Sequence, residues 1–521
     1  MTKHIVIVGG GTAGWMTACY LARMLAGPDA QAVKITLVES EDIGIIGVGE
    51  GTFPSIRKTL KRIGLDEAAL VREANATFKQ GIRFANWRHA PSVDPGDHYY
   101  HPFQIAEQHT DLDLLPYWLL GEAGEAPWAR ASTVQQAVIE ARRAPKLIDH
   151  PDYAGPLSYA YHFDAVAFGQ VLRRHAIGQG VVRIADTIGE VRLTEDGAIA
   201  ALVGAVSGEL RADLYIDCTG FRAQLIGQAL KSEFTSYRDQ LFCDRALAVQ
   251  LPYEQPDAPI ASCTISTAQE SGWTWDIGLQ ERRGVGYVYS SRHTDDERAA
   301  QVLSAYAGVA PDRLEPRLLK FEAGFRRTQW RKNCVAIGLS AGFIEPLEAT
   351  GIGFSEIAAL ILANLFPWSG EYEQAARQFN AQMQRRYEHV IDFIKLHYCL
   401  SQREDTAFWR DNRDDRSMSE TLKEKLRIWR HRPPSFLDVD LNHDIFVEQN
   451  WQYILYGMGF ATDLSGRAPA LRFSAEARAE FASIAEQARF ALTVMPDHRA
   501  LIDQVRRSGF QRPAPARRAS R

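Results

Sequence analysis

The chain has 521 residues, 46% of them hydrophobic and 24% charged, a soluble globular composition with more chain than one core needs. At roughly 150 residues per domain, that length suggests two to four units. Its 59 Lys and Arg against 64 Asp and Glu give a formal charge of -5, which argues against nucleic acid as the main partner, and no apolar run reaches the ~18 residues of a membrane span.

The opening "MTKHIVIVGGGTAGW" reads as a strand entering a glycine turn and not as a signal peptide. "HIVIV" (4–8) is a short buried strand, a helix follows from about Ala13 to Met24, and "KITLVES" (34–40) is a second strand, a βαβ opening. "PSIRKTLKRIG" is helical, with Pro54 in its first turn and Gly64 ending it. Residues 88–156, rich in Pro, Asp, Trp and His, read as a long irregular excursion. "SYAYHFDAVAFGQVLRRHA" leads into another helix, and "GEVRLTEDGAIAALV" is a hairpin turning at Asp196-Gly197. "ADLYIDCTGF" (212–221) returns as a strand, residues 246–252 and 284–291 belong to a second sheet, and "NCVAIGLSAGF" (333–343) is a buried strand ending on a glycine turn. From about residue 353 the pattern is helical, interrupted by "RHRPPSF" (430–436). The expected division is 1–385 for the nucleotide-binding module with its second sheet, 386–505 for a helical substrate-binding region, and 506–521 for a disordered basic tail. Six cysteines without metal spacing read as reduced thiols of a cytoplasmic protein. Fourteen histidines without an HxxxH-type cluster lead us to expect no metal.

The strongest local signal is Gly9-x-Gly11-x-x-Gly14 between a strand and a helix, with Glu39 at the end of the next strand. The glycines permit a tight turn and a close backbone approach, the helix N-terminus faces a pyrophosphate, and the glutamate suits a ribose hydroxyl. A minimal NAD domain continues in regular βα units. Here an irregular segment follows, and two distant strands (212–221 and 333–343) each return to end on a small-residue turn. That layout suits a long cofactor held at both ends, so FAD is favoured over NAD. The fold class is therefore α/β: a Rossmann-like, flavin monooxygenase-like FAD-binding core with an additional β-sheet and a mainly helical C-terminal region.

With these segments in view, the chain resembles the flavin-dependent tryptophan halogenase family over residues 3–465. "GGGTAGWM" (9–16), "GVGEGTFPS" (47–55), "FKQGIRFANW" (78–87), "YHPF" (100–103), "YHFDA" (161–165), "DCTGF" (217–221), "GWTWDIGL" (272–279) and "GFIEPLEATGIG" (342–353) carry the resemblance. One departure stands out: Gly278 replaces the proline of the family's W-x-W-x-I-P signature, which would loosen the wall between flavin and substrate.

The resemblance implies that reduced flavin and O2 turn a halide into hypohalous acid, which the protein confines. It implies cofactor contacts at Gly9, Gly11, Thr12, Ala13, Gly14, Glu39, Val48, Gly49, Gly338 and Ile352, the strap 47–55 lying along the flavin. Chloride or bromide would meet backbone N–H groups at Thr350 and Gly351. Lys79 would hold hypohalous acid by its ammonium, or form a haloamine by its amine, and Glu348 would take the ring proton or polarise the oxidant. Glu345 would tie the turn together. His101 and Phe103 match positions that stack on the indole, and Trp273 and Trp275 read as a wall. In "NWQYILYGMGFATD" (450–463), Gln452-Tyr453 and Gly459 stand where the family's tyrosine pair and glutamate are sought. Without that anion the substrate is expected to be an uncharged electron-rich arene such as indole, with free tryptophan poor.

No second nucleotide fingerprint is present, so a separate flavin reductase is expected to supply FADH2. A homodimer is the working expectation for assembly. An aromatic hydroxylase, a halogenase acting on carrier-bound or peptide substrates, and a non-catalytic flavin-binding protein are the competing readings. Native substrate, ring position and halide preference are not set by the sequence.

Overall fold

A computed structural model of the chain describes residues 3–25, 33–41, 49–105, 112–440 and 443–511. The strand Lys3–Val8, buried from Ile5 onward, lies at the centre of a six-stranded sheet. Val33–Glu39 and Leu214–Asp217 flank it in parallel register, Ile5 opposite Ile35 and Leu214. Val182–Ala185 and Cys334–Ala336 extend the sheet on either side. Strands buried on both faces need apolar side chains throughout, which is why these segments read as continuous hydrophobic runs. The helix Thr12–Leu25 packs on this sheet and against the helices Ala165–Gly178 and Thr350–Asn364.

A seven-stranded sheet stands beside it, mostly antiparallel, with Gly272–Gly278 and Arg282–Tyr289 near its middle and His98–Pro102 at one edge. Two smaller elements matter for the site. A three-stranded sheet joins Glu50–Gly51, Ala160–Phe163 and Thr77–Lys79. The hairpin expected at 189–203 is present, turning at Gly197 (φ 81°). Within the excursion 88–156 the structure shows a strand and three short helices, Leu115–Leu119, Trp128–Ser132 and Gln135–Glu140, rather than irregular chain throughout. All six cysteines are free thiols, and among the described residues no helix is long and apolar enough to cross a membrane.

The boundary expected at 385/386 falls inside one continuous helix, Glu373–Cys399. That helix carries the chain across the position without a break. One hydrophobic core runs from Ile5 to Val505, joining the helical C-terminal region to both sheets. The expected tail is also shorter: the helix His498–Ser508 takes in its first residues, the Phe510 ring lies 4.1 Å from Lys146 Nζ, and Gln511 N–H donates to Ile148 O at 2.9 Å. Residues 512–521 lie outside the described residues. The basic composition of 506–511 misleads because Lys146 and Ile148 supply a docking surface that only the fold creates.

The excursion is pinned by a buried ion pair. Lys146 Nζ and Glu67 Oε2 lie 2.7 Å apart, both inaccessible to solvent. Glu67 also accepts from Tyr153 N–H (2.7 Å), Tyr159 OH (2.8 Å) and Tyr161 OH (2.6 Å). Removing one partner of such a pair strands the other charge without its counter-ion. Lys146→Met is expected to cost about 3–5 kcal/mol in urea unfolding, and adding Glu67→Gln, which removes the stranded charge but keeps an acceptor for the three tyrosine donors, to recover part of it.

Candidate functional site

A cavity of about 630 Å³ opens along the C-terminal ends of the central strands. Gly9, Gly11, Thr12, Ala13, Glu39, Gly49, Lys79, Gly338, Gly351 and Ile352 all line it, Gly338 lying against Ala13. The structure thus brings these predicted positions to one wall-to-wall site from segments spread over the chain. Gly14 is set back from the cavity, and Val48 lies outside the described residues. Positions that no motif marked also line it, among them Asp186, Leu318 and Ser355. Asp186 follows a strand, Leu318 lies within one and Ser355 lies on the helix Thr350–Asn364, and the local sequence of each is unremarkable.

The glycines divide by role. A Cβ at Gly9 would sit 2.1 Å from Cys218 O, one at Gly10 1.7 Å from Glu39 Oε2, and one at Gly14 1.9 Å from Gly9 O. Those three allow the chain to pack on itself. A Cβ at Gly11 meets no protein atom within 4 Å, so that glycine faces only the open cavity. Glu39 is held in place by Trp15 Nε1 (3.1 Å) and Arg183 Nε (2.5 Å) and borders the space a nucleotide would fill. The residues fit FAD: open backbone at one helix N-terminus, a carboxylate at the strand end, and a cavity long enough to reach a second helix N-terminus.

That second terminus begins at Thr350. Ahead of it Ala349 is left-handed (φ 57°), an unfavourable conformation for a residue with a side chain, and its side chain supplies no cap. The first N–H groups of the helix have no intrahelical acceptor. Thr350 Oγ1 is buried without a hydrogen-bond partner. Free donors and an orphaned hydroxyl together suit a small anion.

Trp273, Trp275 and Ile277 line the cavity, whereas Gly278 does not. Side chains alternate along a strand, so the position that departs from the proline signature points to the other face. There it meets Ile260 and Tyr253, and its carbonyl accepts from Thr77 Oγ1 at 2.6 Å. The exchange therefore falls on the face turned away from the cavity, next to Ile277, which lines it.

Lys79 ends its strand fully buried, its Nζ without a hydrogen-bond partner and 5.3 Å from the Phe103 ring centre. Burial pushes its amine down to about 8, against the opposing pull of Glu348. Gly51 of the strap lies directly beside it: a Cβ there would be 3.2 Å from Nζ. The strand is held from the far end of the chain, where His498 Nε2 accepts Phe78 N–H at 3.0 Å.

Glu348 closes a short 3-10 turn, Pro346–Glu348. Pro346, Leu347 and Ala349 face the cavity, while Glu345 and Glu348 turn the other way, toward the helix Glu373–Cys399. Residues three apart share a face of such a turn. His397 Nε2 meets Glu348 Oε1 at 3.0 Å, and Tyr398 OH donates to Glu345 Oε1 at 2.6 Å. His101 Nδ1 reaches both oxygens of Glu348, at 2.9 and 3.0 Å. Burial alone would raise Glu348; the electrostatic attraction of His101 first, then its hydrogen bond and that of His397, outweigh it and hold the carboxyl down to about 2. Glu345, with fewer donors, is pushed up by burial to about 7.

His101 makes ring-edge contacts beyond the stacking expected of its face. It is buried with both ring nitrogens engaged, Nδ1 by Glu348 and Nε2 by Asn450 Nδ2 at 2.8 Å. Through these in-plane bonds it orients the carboxylate, and Phe103 is the aromatic beside Lys79. His397 and Asn450, which no motif singled out, complete the arrangement. They lie on C-terminal helices, and nothing in their local sequence distinguishes them from core polar residues.

Comparison with known proteins adds to this geometry. The tryptophan halogenase family model matches residues 4–470. The tryptophan 6-halogenase SttH of Streptomyces toxytricini is 35% identical over 512 residues, covering 94% of this chain and 96% of that protein. A solved tryptophan halogenase from Shewanella frigidimarina superposes with a TM-score of 0.94 at 41% identity, over 98% of this chain and 99% of that one. The flavin-dependent halogenase BrvH from Brevundimonas sp. BAL3 gives 0.86 at 35% identity, over 97% and 99%.

The glycine geometry yields a clean test. Gly11→Val is expected to fold with an unchanged melting temperature yet weaken FAD binding at least tenfold in a fluorescence titration, because the new side chain meets only the ligand's space.

Proposed function

This chain belongs to the tryptophan halogenase family and is a flavin-dependent halogenase, and from that premise we propose that it chlorinates or brominates an electron-rich, indole-type arene through confined hypohalous acid. The observation that carries this reading is the pairing of a buried, unpartnered Lys79 amine on the nucleotide cavity with a buried Glu348 carboxylate across the same turn.

Bound as FADH2, the cofactor supplies with O2 the two-electron oxidant that halide needs. Gly9, Gly11, Thr12, Ala13, Glu39, Gly49, Gly338 and Ile352 would hold the cofactor. Chloride or bromide would take the donors of Thr350 and Gly351. Lys79 receives the resulting hypohalous acid by hydrogen bond from its ammonium and aims the halogen at one ring carbon. Gly51 leaves the passage beside the amine open. Phe103 borders the arene, and Glu348, held ionised by its two histidines, takes the ring proton. Enclosure keeps water from competing for the halogen. A separate reductase would deliver the reduced flavin.

The substrate class rests on the segment 450–463. Gln452 is turned away, its amide donating to Pro434 O at 3.0 Å. Gly459 lies against the Arg88 guanidinium, where a Cβ would be 2.7 Å from Cζ. With glycine and a guanidinium there, no carboxylate at that position holds an ammonium group, which supports an arene without one over free tryptophan.

The direct experiment supplies FAD, a flavin reductase, NADH and indole, with chloride in one reaction and bromide in another, and reads halogen isotope patterns by mass spectrometry. Haloindole is expected, and is expected to vanish with Lys79→Ala; hydroxyindole instead would assign a monooxygenase. The pH dependence has a definite sign. The Lys79 ammonium loses its proton as pH rises through about 8, so turnover should fall above that value. A rate that climbs there would assign the amine form.

A further inference from the structure

We infer that His397 is a positioning residue that stores one proton for Glu348, the two forming an imidazolium–carboxylate couple. This rests on the halogenase reading of the site and adds to it a residue and a proton count.

The hydrogen-bond directions carry the inference. Asn450 Oδ1 accepts Val447 N–H at 2.9 Å, so its Nδ2 must be the group that faces His101. Nδ2 can only donate, which makes His101 Nε2 an acceptor and leaves the proton on Nδ1, aimed at Glu348. His101 is thus a neutral donor locked in one tautomer. His397 is in the opposite situation. Its Nδ1 lies 2.9 Å from Phe393 O, an acceptor four residues back on its own helix, and its Nε2 lies 3.0 Å from a carboxylate oxygen. A neutral imidazole has one N–H and cannot satisfy two acceptors. A lone pair facing a carboxylate at that distance, in a dry interior, is repulsive. One proton more than the neutral ring carries must therefore lie on this contact.

His101 Nδ1–H lies on both Glu348 oxygens, at 2.9 and 3.0 Å, an arrangement that suits the ionised carboxylate and so places the proton on the histidine. Glu348 on the turn already accepts from His101, while Glu345, Lys79, Lys395 and Tyr99 are the other titratable groups around the couple. The rings of Phe84 and Trp87 pack on His397, at 5.0 and 6.0 Å between centres, and exclude water.

The couple balances the reaction Ar–H + HOX → Ar–X + H2O. The C–X bond forms as the X–O bond breaks, and the departing oxygen needs one proton. Glu348 passes it the proton drawn from His397 Nε2. The ring proton then falls on Glu348 and returns to His397, so the couple ends with the one proton it began with. No oxidant beyond hypohalous acid is consumed.

The test reads protons directly. In protein labelled with 15N-histidine at neutral pH, His397 is expected to show both ring nitrogens protonated and His101 only Nδ1, with Glu348→Gln returning His397 to one. A bare nitrogen on His397 in the unaltered protein overturns the inference. His397→Gln, which keeps an N–H toward Glu348 but holds no spare proton, should lower kcat about 10²-fold with KM for the arene unchanged. Wild-type kcat in that variant also overturns it. Because the nitrogen count needs no turnover, failure of halogenation itself would be distinguishable from failure of the couple.

Discussion

Everything in the site depends on how the turn 345–348 meets the last turn of the helix Glu373–Cys399. Two carboxylates three residues apart face two consecutive helical side chains, His397 and Tyr398. Each contact is buried, so each carboxylate's protonation follows from which partner it finds there: Glu348 with two imidazole donors stays ionised, Glu345 with a phenol rises toward neutral. The same turn offers Pro346, Leu347 and Ala349 to the nucleotide cavity. A few residues therefore border the cavity on one side and set the protonation of two buried carboxylates on the other.

Lys79 is the group that links the two sides. It lines the cavity, yet its charge is felt by Glu348. Its strand is only three residues long and would not hold position alone. Pairing with Ala160–Phe163, the Thr77 hydroxyl on Gly278 O and the His498 ring on Phe78 N–H supply the rigidity. A reactive group that must steer an electrophile over one carbon needs such support, since small displacements cost large factors in rate.

The C-terminal helices do more than cover the substrate. Asn450 sets the tautomer of His101, His397 meets the carboxylate, and His498 anchors the lysine strand. These contacts also tie the helical region to the flavin-binding core. The helices supply partners to buried groups of the core, and one hydrophobic core spans both.

The βαβ opening, the glycine turn, the strap and the Glu-Pro-Leu-Glu turn could be read from sequence because each is contiguous. Strands show by hydrophobic runs and the turn by its glycine spacing, while the strap and the Glu-Pro-Leu-Glu turn were legible through the resemblance of contiguous motifs. What the tertiary structure decided lies between residues far apart in the chain: His397 with Glu348 across 49 positions, Asn450 with His101 across 349, His498 with Phe78 across 420. A lone His or Asn on a helix carries no mark of the partner it will meet. The side of the strand on which Gly278 falls, and the tail segment 506–511 that docks on Lys146 and Ile148, were hidden for the same reason. Local chemistry is written in neighbouring residues, whereas the protonation state of a buried group is set by what folding places against it.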